Sequence, residues 1–184
     1  MTRAIEKIAI FCGAKMGISD TYCEEVQKFV DKVCALGLTI VYGGGNVGLM
    51  GVIADQTLKN NGKIVGVIPK KLVDIEQAHT GLTDLYIVNS MDERKALIAE
   101  LSDAFIMLPG GTGSLDEFFE MFTLMQLGYQ NKPCAILNIN CYYDHLIKFL
   151  DHATMEGFLM SKQREKIITT KNSAELLEKL MQDS

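Results

Sequence analysis

No lysine- or arginine-rich run occurs anywhere in the 184 residues, and the formal net charge is −5. A nucleic-acid backbone is held by clustered cations, so nucleic acid is not an expected partner. No apolar run reaches the ~20 residues that a membrane-spanning helix needs, so no membrane span is expected. No Cys-x-x-Cys pair occurs, and none of the five cysteines has a histidine at zinc spacing. The cysteine count is odd and the chain is not short, which argues against a disulfide framework. The three histidines, His79, His145 and His152, do not cluster with acids or cysteines. No metal site or catalytic triad is therefore assigned to them. No Gly-Lys-Ser or Gly-Lys-Thr follows any glycine cluster, which excludes a Walker-type phosphate loop. The first residues lead almost directly into a strand pattern, with no signal-peptide pattern, so a cytoplasmic protein with reduced thiols is the expectation.

What is present is an ordinary globular composition, 48% hydrophobic and 22% charged, on a chain long enough for one domain with a substantial core. No repeat, linker or low-complexity segment divides it, so residues 1–184 are expected to form one domain. Short apolar runs predict strands at 5–11, 38–42, 63–68, 84–88, 104–108, 133–138 and 166–170. Amphipathic patterns predict helices at 19–36, 48–61, 90–102, 114–128, 142–156 and 172–182. Cys23 and Cys34 lie eleven residues apart, about three helical turns, and are expected on one buried helix face. Asn172-Ser-Ala-Glu175 has the form of a capping box for the last helix. The runs are continuously apolar, as in strands covered on both faces. Strict alternation of such strands with helices implies right-handed crossovers and a parallel sheet. The fold class is α/β: a Rossmann-like, doubly wound parallel sheet of about seven strands with helices on both faces. The stretch 69–83 lacks periodicity and reads as a long connection near a ligand or partner.

The glycine clusters share one kind of position, after a strand. Gly13 to Gly17 follows the first strand, Gly43 to Gly48 the second, and Pro109 to Gly113 the fifth. Met91 to Lys95 follows the fourth. A sheet order of 3-2-1-4-5-6 makes strands 2, 1, 4 and 5 neighbours, so that these loops line one crevice at the switch point.

Pro109-Gly-Gly-Thr-Gly-Ser-Leu-Asp-Glu117 is the most informative of them. Its glycines permit a sharp turn, and the helix beginning there aims unpaired N–H groups and a positive dipole end at one spot, which suits phosphate. Two readings of Glu117 stand. Ser114-Leu-Asp-Glu117 fits a capping box, while a carboxylate beside an anion seat fits catalysis on a phosphorylated small molecule. Arg94 shares its expected helix face with Leu97, Ile98 and Leu101 and has no carboxylate three or four residues away. It is either an arginine snorkelling at the core edge or one aimed into the crevice. Lys95 has Asp92 at i,i+3 as a candidate partner. Gly43-x-Gly45-x-x-Gly48 formally matches a dinucleotide fingerprint, but the next strand ends in Pro69-Lys70-Lys71, with no acid for a ribose. A tight strand-to-helix turn and a seat for part of a nucleotide are the competing readings. The Phe118, Met121, Phe122, Met125 stripe reads first as core and second as a subunit interface.

Taken together these residues resemble the LOG family, the cytokinin riboside 5′-monophosphate phosphoribohydrolases formerly described as lysine decarboxylases. The family motif Pro-Gly-Gly-x-Gly-Thr-x-x-Glu is similar to Pro109 to Glu117, with Ser114 in place of threonine. Met-His-Glu-Arg-Lys is similar to Met91 to Lys95, with Asp92 in place of histidine. Phe11 to Gly13, Val41 to Gly45, Gly48 to Gly51 and Gln126 to Gly128 through Lys132-Pro133 extend the resemblance over nearly the whole chain. It implies hydrolysis of the N-glycosidic bond of a nucleoside 5′-monophosphate, in cytokinin biosynthesis, to free base and ribose 5-phosphate. It implies Arg94 and Glu117 as the catalytic pair. Substrate contacts are implied at Gly13, Gly44, Gly45, Met91 and Lys95, and along Gly110, Gly111, Thr112, Gly113 and Ser114. No cofactor or metal is implied; a homodimer with the site near the interface is. A non-catalytic nucleotide-binding module and an NAD(P)-dependent oxidoreductase remain the alternatives. Lysine decarboxylation is disfavoured, because no lysine is singled out to carry pyridoxal phosphate as a Schiff base.

Overall fold

The computed structural model describes residues 4–182. Among them, seven strands form one sheet: β1 (Lys7–Phe11), β2 (Thr39–Tyr42), β3 (Ile64–Pro69), β4 (Asp84–Val88), β5 (Ala104–Met107), β6 (Cys134–Leu137) and β7 (Ile167–Thr170). Every pairing is parallel, in the order β4-β3-β2-β1-β5-β6-β7. The connections carry α1 (Thr21–Ala35), α2 (Gly48–Lys59), α3 (Met91–Leu101), α4 (Thr112–Gln126), α5 (Asp144–Met155) and the single turn α6 (Ser161–Arg164); α7 (Ser173–Gln182) follows β7.

Successive strand residues point to opposite faces, so each continuous apolar run feeds two cores. Ile8, Ile10, Ile40, Tyr42 and Ile106 pack on one face with α1, α2 and α7 residues such as Phe29, Ile53 and Leu176. Ala9, Phe11, Val41, Phe105 and Met107 pack on the other with Ile98, Phe118, Met121 and Leu150 from α3, α4 and α5. The Phe118–Met125 stripe is thus core, as its spacing suggests. Each fully buried side chain of this size contributes about 1.5–3 kcal/mol.

Several local expectations are corrected. Strand 84–88 does not lie beside the first strand. It extends the sheet beyond β3, and β1 pairs instead with β5, which puts the switch point between β1 and β5. At that edge β4 is not covered on both faces: Leu85 is 37%, Tyr86 42% and Ile87 59% exposed. The helix after it, α3, leaves the edge and packs across β3, β2 and β1. Helix α4 starts at Thr112, with Gly111 at its N-cap, two residues before the expected start. Ser114 and Glu117 are therefore inside the helix and form no capping box. The buried stripe of α1 is Val26, Phe29, Val30 and Val33; Cys34 flanks that core and Cys23 is only half-buried. At α7, Asn172 Oδ1 does cap, accepting from the Ala174 and Glu175 amides at 2.8 and 3.1 Å, but Glu175 turns to the Thr170 hydroxyl and Lys179.

The 69–83 connection is a strap tied down by backbone. The Asn46 amide donates to Glu76 O at 2.9 Å, the His79 amide donates to Gly44 O at 3.0 Å, and Ala78 bridges Gly45 antiparallel. His79 Nδ1 accepts from the Gly81 amide at 3.0 Å, which leaves Nε2 to face Asp55 Oδ1 at 3.2 Å.

Two glycines separate folding demands from site demands. Gly48 has φ +55, and a Cβ there would stand 2.3 Å from the Ala14 backbone carbon; at Gly113 an added Cβ meets nothing within 4 Å. Gly48→Ala is expected to lower stability by roughly 2 kcal/mol or more, through strain and overlap together. Gly113→Ala should stay within about 0.5 kcal/mol of the parent. Urea titration of both variants checks this, and equal midpoints would contradict it.

Candidate active site

Three loops at the carboxyl ends of β5, β1 and β2 are laced together by backbone. The Gly13 amide donates to Pro109 O at 3.0 Å, and the Leu49 amide at the start of α2 donates to Gly13 O at 3.1 Å. Two tyrosines from the segment before α5 brace the β5 loop: Tyr142 donates to Gly110 O at 2.7 Å and Tyr143 to Leu108 O at 2.9 Å. Above this floor lies a cavity of about 580 Å³.

One wall is the start of α4. The first helical turn leaves its leading amides without intrahelical acceptors, and here the Leu115 amide is the one that reaches back to Gly111 O, at 3.2 Å. Gly110, Gly111, Thr112, Gly113 and Ser114 all line the cavity. An added Cβ at Gly111 or Gly113 would enter open space, so the fold itself does not demand their bareness. Gly110 is different, because a Cβ there would collide with Ser114 Oγ. A wall of N–H groups at the positive end of a helix dipole suits an anion.

Arg94 forms the centre. Its position is reached because α3 crosses back from the sheet edge, one turn in. The side chain is 6% exposed, and Nη2 donates to Gly43 O at 3.2 Å. A Cβ on Gly43 would lie 2.0 Å from that same Nη2, so Gly43 is bare to admit the guanidinium. Two carboxylates flank it: Glu76 Oε2 at 3.6 Å from Nη2 and Glu117 Oε1 at 3.7 Å from Nε. Arg94 is thus neither snorkelling nor unpaired.

Burial raises the Glu117 carboxyl to about 7, with Arg94 opposing and Glu76 adding to the rise. Burial also raises Glu76, again opposed by Arg94. At neutral pH Glu117 is poised to lose or take a proton. Cys12 also lines the cavity, but burial and the neighbouring Glu117 push its thiol upward, so it stays protonated and is a poor nucleophile.

The structure brings Gly13, Met91, Arg94, Glu117 and residues 110–114 around one cavity. It does not bring in Gly44, Gly45 or Lys95. Gly44, at φ +79, packs on Ile68 and Leu85, and Gly45 packs on Met50 and Glu76. Lys95 does not pair with Asp92. It spans to α4, to Asp116 Oδ2 at 3.4 Å and to Glu120. The Gly43–Gly48 motif makes a tight turn, admits Arg94 and packs against Ala14, and Gly43 itself lines the cavity. Sequence reasoning missed Glu76 and Tyr142; the lack of periodicity in 69–83 was the one signal pointing toward Glu76.

Glu117 gives a stability signature. Its carboxyl titrates at about 7 when folded against 4.5 as an ordinary glutamate. Between those values the folded chain holds a proton that the unfolded chain has released. The stability this group contributes is complete below the lower value and is lost as pH rises through the higher one, by roughly 3 kcal/mol at most. Glu117→Gln removes the titration, so its Tm at about pH 8 should exceed the parent's, with the gap shrinking toward pH 5. A variant less stable than the parent at both values would contradict this.

The chain matches the family model described as possible lysine decarboxylase over residues 50–180. It is 45% identical over 168 residues to a cytokinin riboside 5′-monophosphate phosphoribohydrolase of Rhodococcoides fascians, covering 91% of this chain and 85% of that one. A protein of the same name from Arabidopsis thaliana is 36% identical over 175 residues, covering 95% and 77%. In fold, the chain is similar to the molybdenum cofactor binding protein of Rippkaea orientalis, with TM-score 0.72 at 17% identity and 97% of both chains covered. It is similarly related to the Moco carrier protein of Chlamydomonas reinhardtii, with TM-score 0.70 at 13% identity and the same coverage. At those identities the two structures speak to the fold alone. Matched motifs, matched model and relatives at this identity agree: the chain belongs to the LOG family, whose members here carry the name cytokinin riboside 5′-monophosphate phosphoribohydrolase.

Proposed function

We propose that this protein hydrolyses the N-glycosidic bond of a nucleoside 5′-monophosphate, of the cytokinin riboside type or AMP, to free base and ribose 5-phosphate. The observation that carries the proposal is Glu117: a largely buried carboxyl, titrating at about 7, beside Arg94 in the cavity that the anion seat lines. The names of the relatives support the same reading. The amides of residues 110–114 hold the 5′-phosphate and so position the anomeric carbon. As the C1′–N bond breaks, positive charge develops on the ribose. The ionised Glu117 stabilises that charge or takes a proton from the water that forms the new C1′–O bond. The departing base ends with a proton and the sugar with a hydroxyl. Arg94 holds Glu117 in place and offsets the repulsion between its charge and the phosphate. Decarboxylation of lysine, which the family description names, is not the proposed activity.

The proposed unit is one nucleotide-binding domain that acts as a homodimer in the cytoplasm. The dimer is supported by the exposed apolar edge Leu85, Tyr86 and Ile87, next to Met91 at 40% exposure. The compartment is supported by five free thiols.

The test is incubation with AMP and with N6-prenylated AMP, with chromatography for free base. No release from any nucleoside monophosphate would sink the proposal; binding with thermal stabilisation but no release favours a non-catalytic nucleotide module. Glu117→Gln and Arg94→Ala should each lower turnover by ~100-fold or more. The rate should rise with pH through about 7 as Glu117 ionises, and that limb should vanish in Glu117→Gln. A flat profile in the parent would refute the role given to Glu117.

A further inference from the structure

Arg94 and Lys95 are neighbours in the first half of α3, and each reaches across to α4. Arg94 makes the inner link, from Nε to Glu117 Oε1 at 3.7 Å. Lys95 makes the outer link: its ammonium lies 3.4 Å from Asp116 Oδ2 and also meets Glu120 Oε2. Asp116 and Glu120 stand one helical turn apart on α4, and Glu117 follows Asp116 directly. Carboxylates thus gather near the start of this helix. One of them, Asp116, lines the same cavity as residues 110–114.

A carboxylate there has the wrong sign for a site that takes an anion. The N–H groups and dipole at a helix start attract negative charge, and an acid in that turn competes with a ligand for them. Lys95 answers this charge. Its side chain is only 14% exposed, although Asp116 is 60% and Glu120 37% exposed. An ammonium is a compact charge with three donors, so it can serve both carboxylates at once. Partners this exposed make the bridge a minor source of stability. Its weight lies in where the charges stand.

Glu117 feels the same charges. Facing it are Arg94 and Lys95 from α3, Glu76 from the strap, Asp116 from its own helix, and the protonated Cys12 thiol after β1. Arg94 and Lys95 favour the ionised carboxylate, while Glu76 and Asp116 oppose it. Loss of Lys95 would leave Arg94 alone against those two acids, with Glu120 released just beyond them.

We propose that Lys95 is a positioning residue that acts by charge: holding Asp116 and Glu120, it keeps them from repelling the substrate phosphate and from opposing the negative charge on Glu117, without touching the substrate. The inference rests on the nucleotide reading above and deepens it. The family resemblance implies Lys95 as a substrate contact, whereas the geometry gives it two carboxylates instead.

The experiment compares the parent with Lys95→Met, Lys95→Arg and the triple variant Lys95→Met/Asp116→Asn/Glu120→Gln. Calorimetry with inorganic phosphate and with AMP reads binding, and base release is followed against pH. Lys95→Met keeps the apolar stem and loses the charge. It should bind AMP about threefold or more weakly, and its rate limb should move to higher pH by ~0.5. Lys95→Arg keeps the charge and should keep the limb at the parent's pH. The triple variant removes the acids with the lysine and should recover most of both losses. A packing role or a direct contact would not be rescued in that way. Parent-like binding and an unmoved limb in Lys95→Met, or a triple variant as impaired as Lys95→Met, overturns the proposal. If Lys95→Met does not fold, the triple variant decides alone: near-parent binding and limb support the proposal, and impaired ones overturn it. Base release that ignores Lys95→Met removes the role of Lys95 and leaves the hydrolase. Binding weakened in Lys95→Met and recovered in the triple variant, without base release, keeps that role and removes the hydrolase. A parent that binds neither phosphate nor AMP removes both.

Discussion

A single guanidinium, brought inside the protein and shared between two carboxylates and a carbonyl, organises the rest of this site. A buried charge is tolerated only when it is paired. Every element near Arg94 serves that requirement. The edge strand β4 sends α3 back across the sheet, so that its first turn reaches the switch point. Gly43 offers its oxygen and withholds a side chain. The strap brings Glu76 and α4 brings Glu117, from opposite sides in sequence. One positive charge facing two acids is an unbalanced set. Burial above all, opposed by Arg94 and helped by the second acid, raises the Glu117 carboxyl to about 7, where a carboxyl is useful as a base.

The site divides into a fixed part and an applied part. The floor belongs to the sheet: Gly13, Pro109 and Leu49 lock three loops by backbone bonds that do not depend on side-chain identity. The seat at the start of α4 follows from helix geometry. The strap is laid over this floor and touches it mainly through the β2–α2 turn. The start of α4 thus rests on loops locked by backbone bonds, while Glu76 comes from a segment outside regular structure.

Most of the architecture was legible in the sequence because buried parallel strands leave a strong trace, a continuous apolar run with helices between. Strand order was less legible. Asp84 to Val88 and Ala104 to Met107 read alike as apolar runs, and either could have paired with β1; only the exposure of Leu85 to Ile87 distinguishes edge from centre. The start of α4 was masked by Ser114 and Glu117 mimicking a cap, when Gly111 takes that position. The glycine loops and Arg94 were visible because they sit beside regular elements. Glu76 was not, because an irregular strap has no period to reveal which residue points inward. The ion-pair partners of Lys95 were not legible for a related reason: Asp116 and Glu120 lie on another helix, and sequence neighbours are the only partners periodicity can suggest.

Gly43 and Arg94 stand 51 residues apart, yet they occupy one volume. Any side chain at the first evicts the second, and loss of the second leaves a void at the first. The turn after β2 and the first turn of α3 are thus tied by exclusion of volume as well as by a bond.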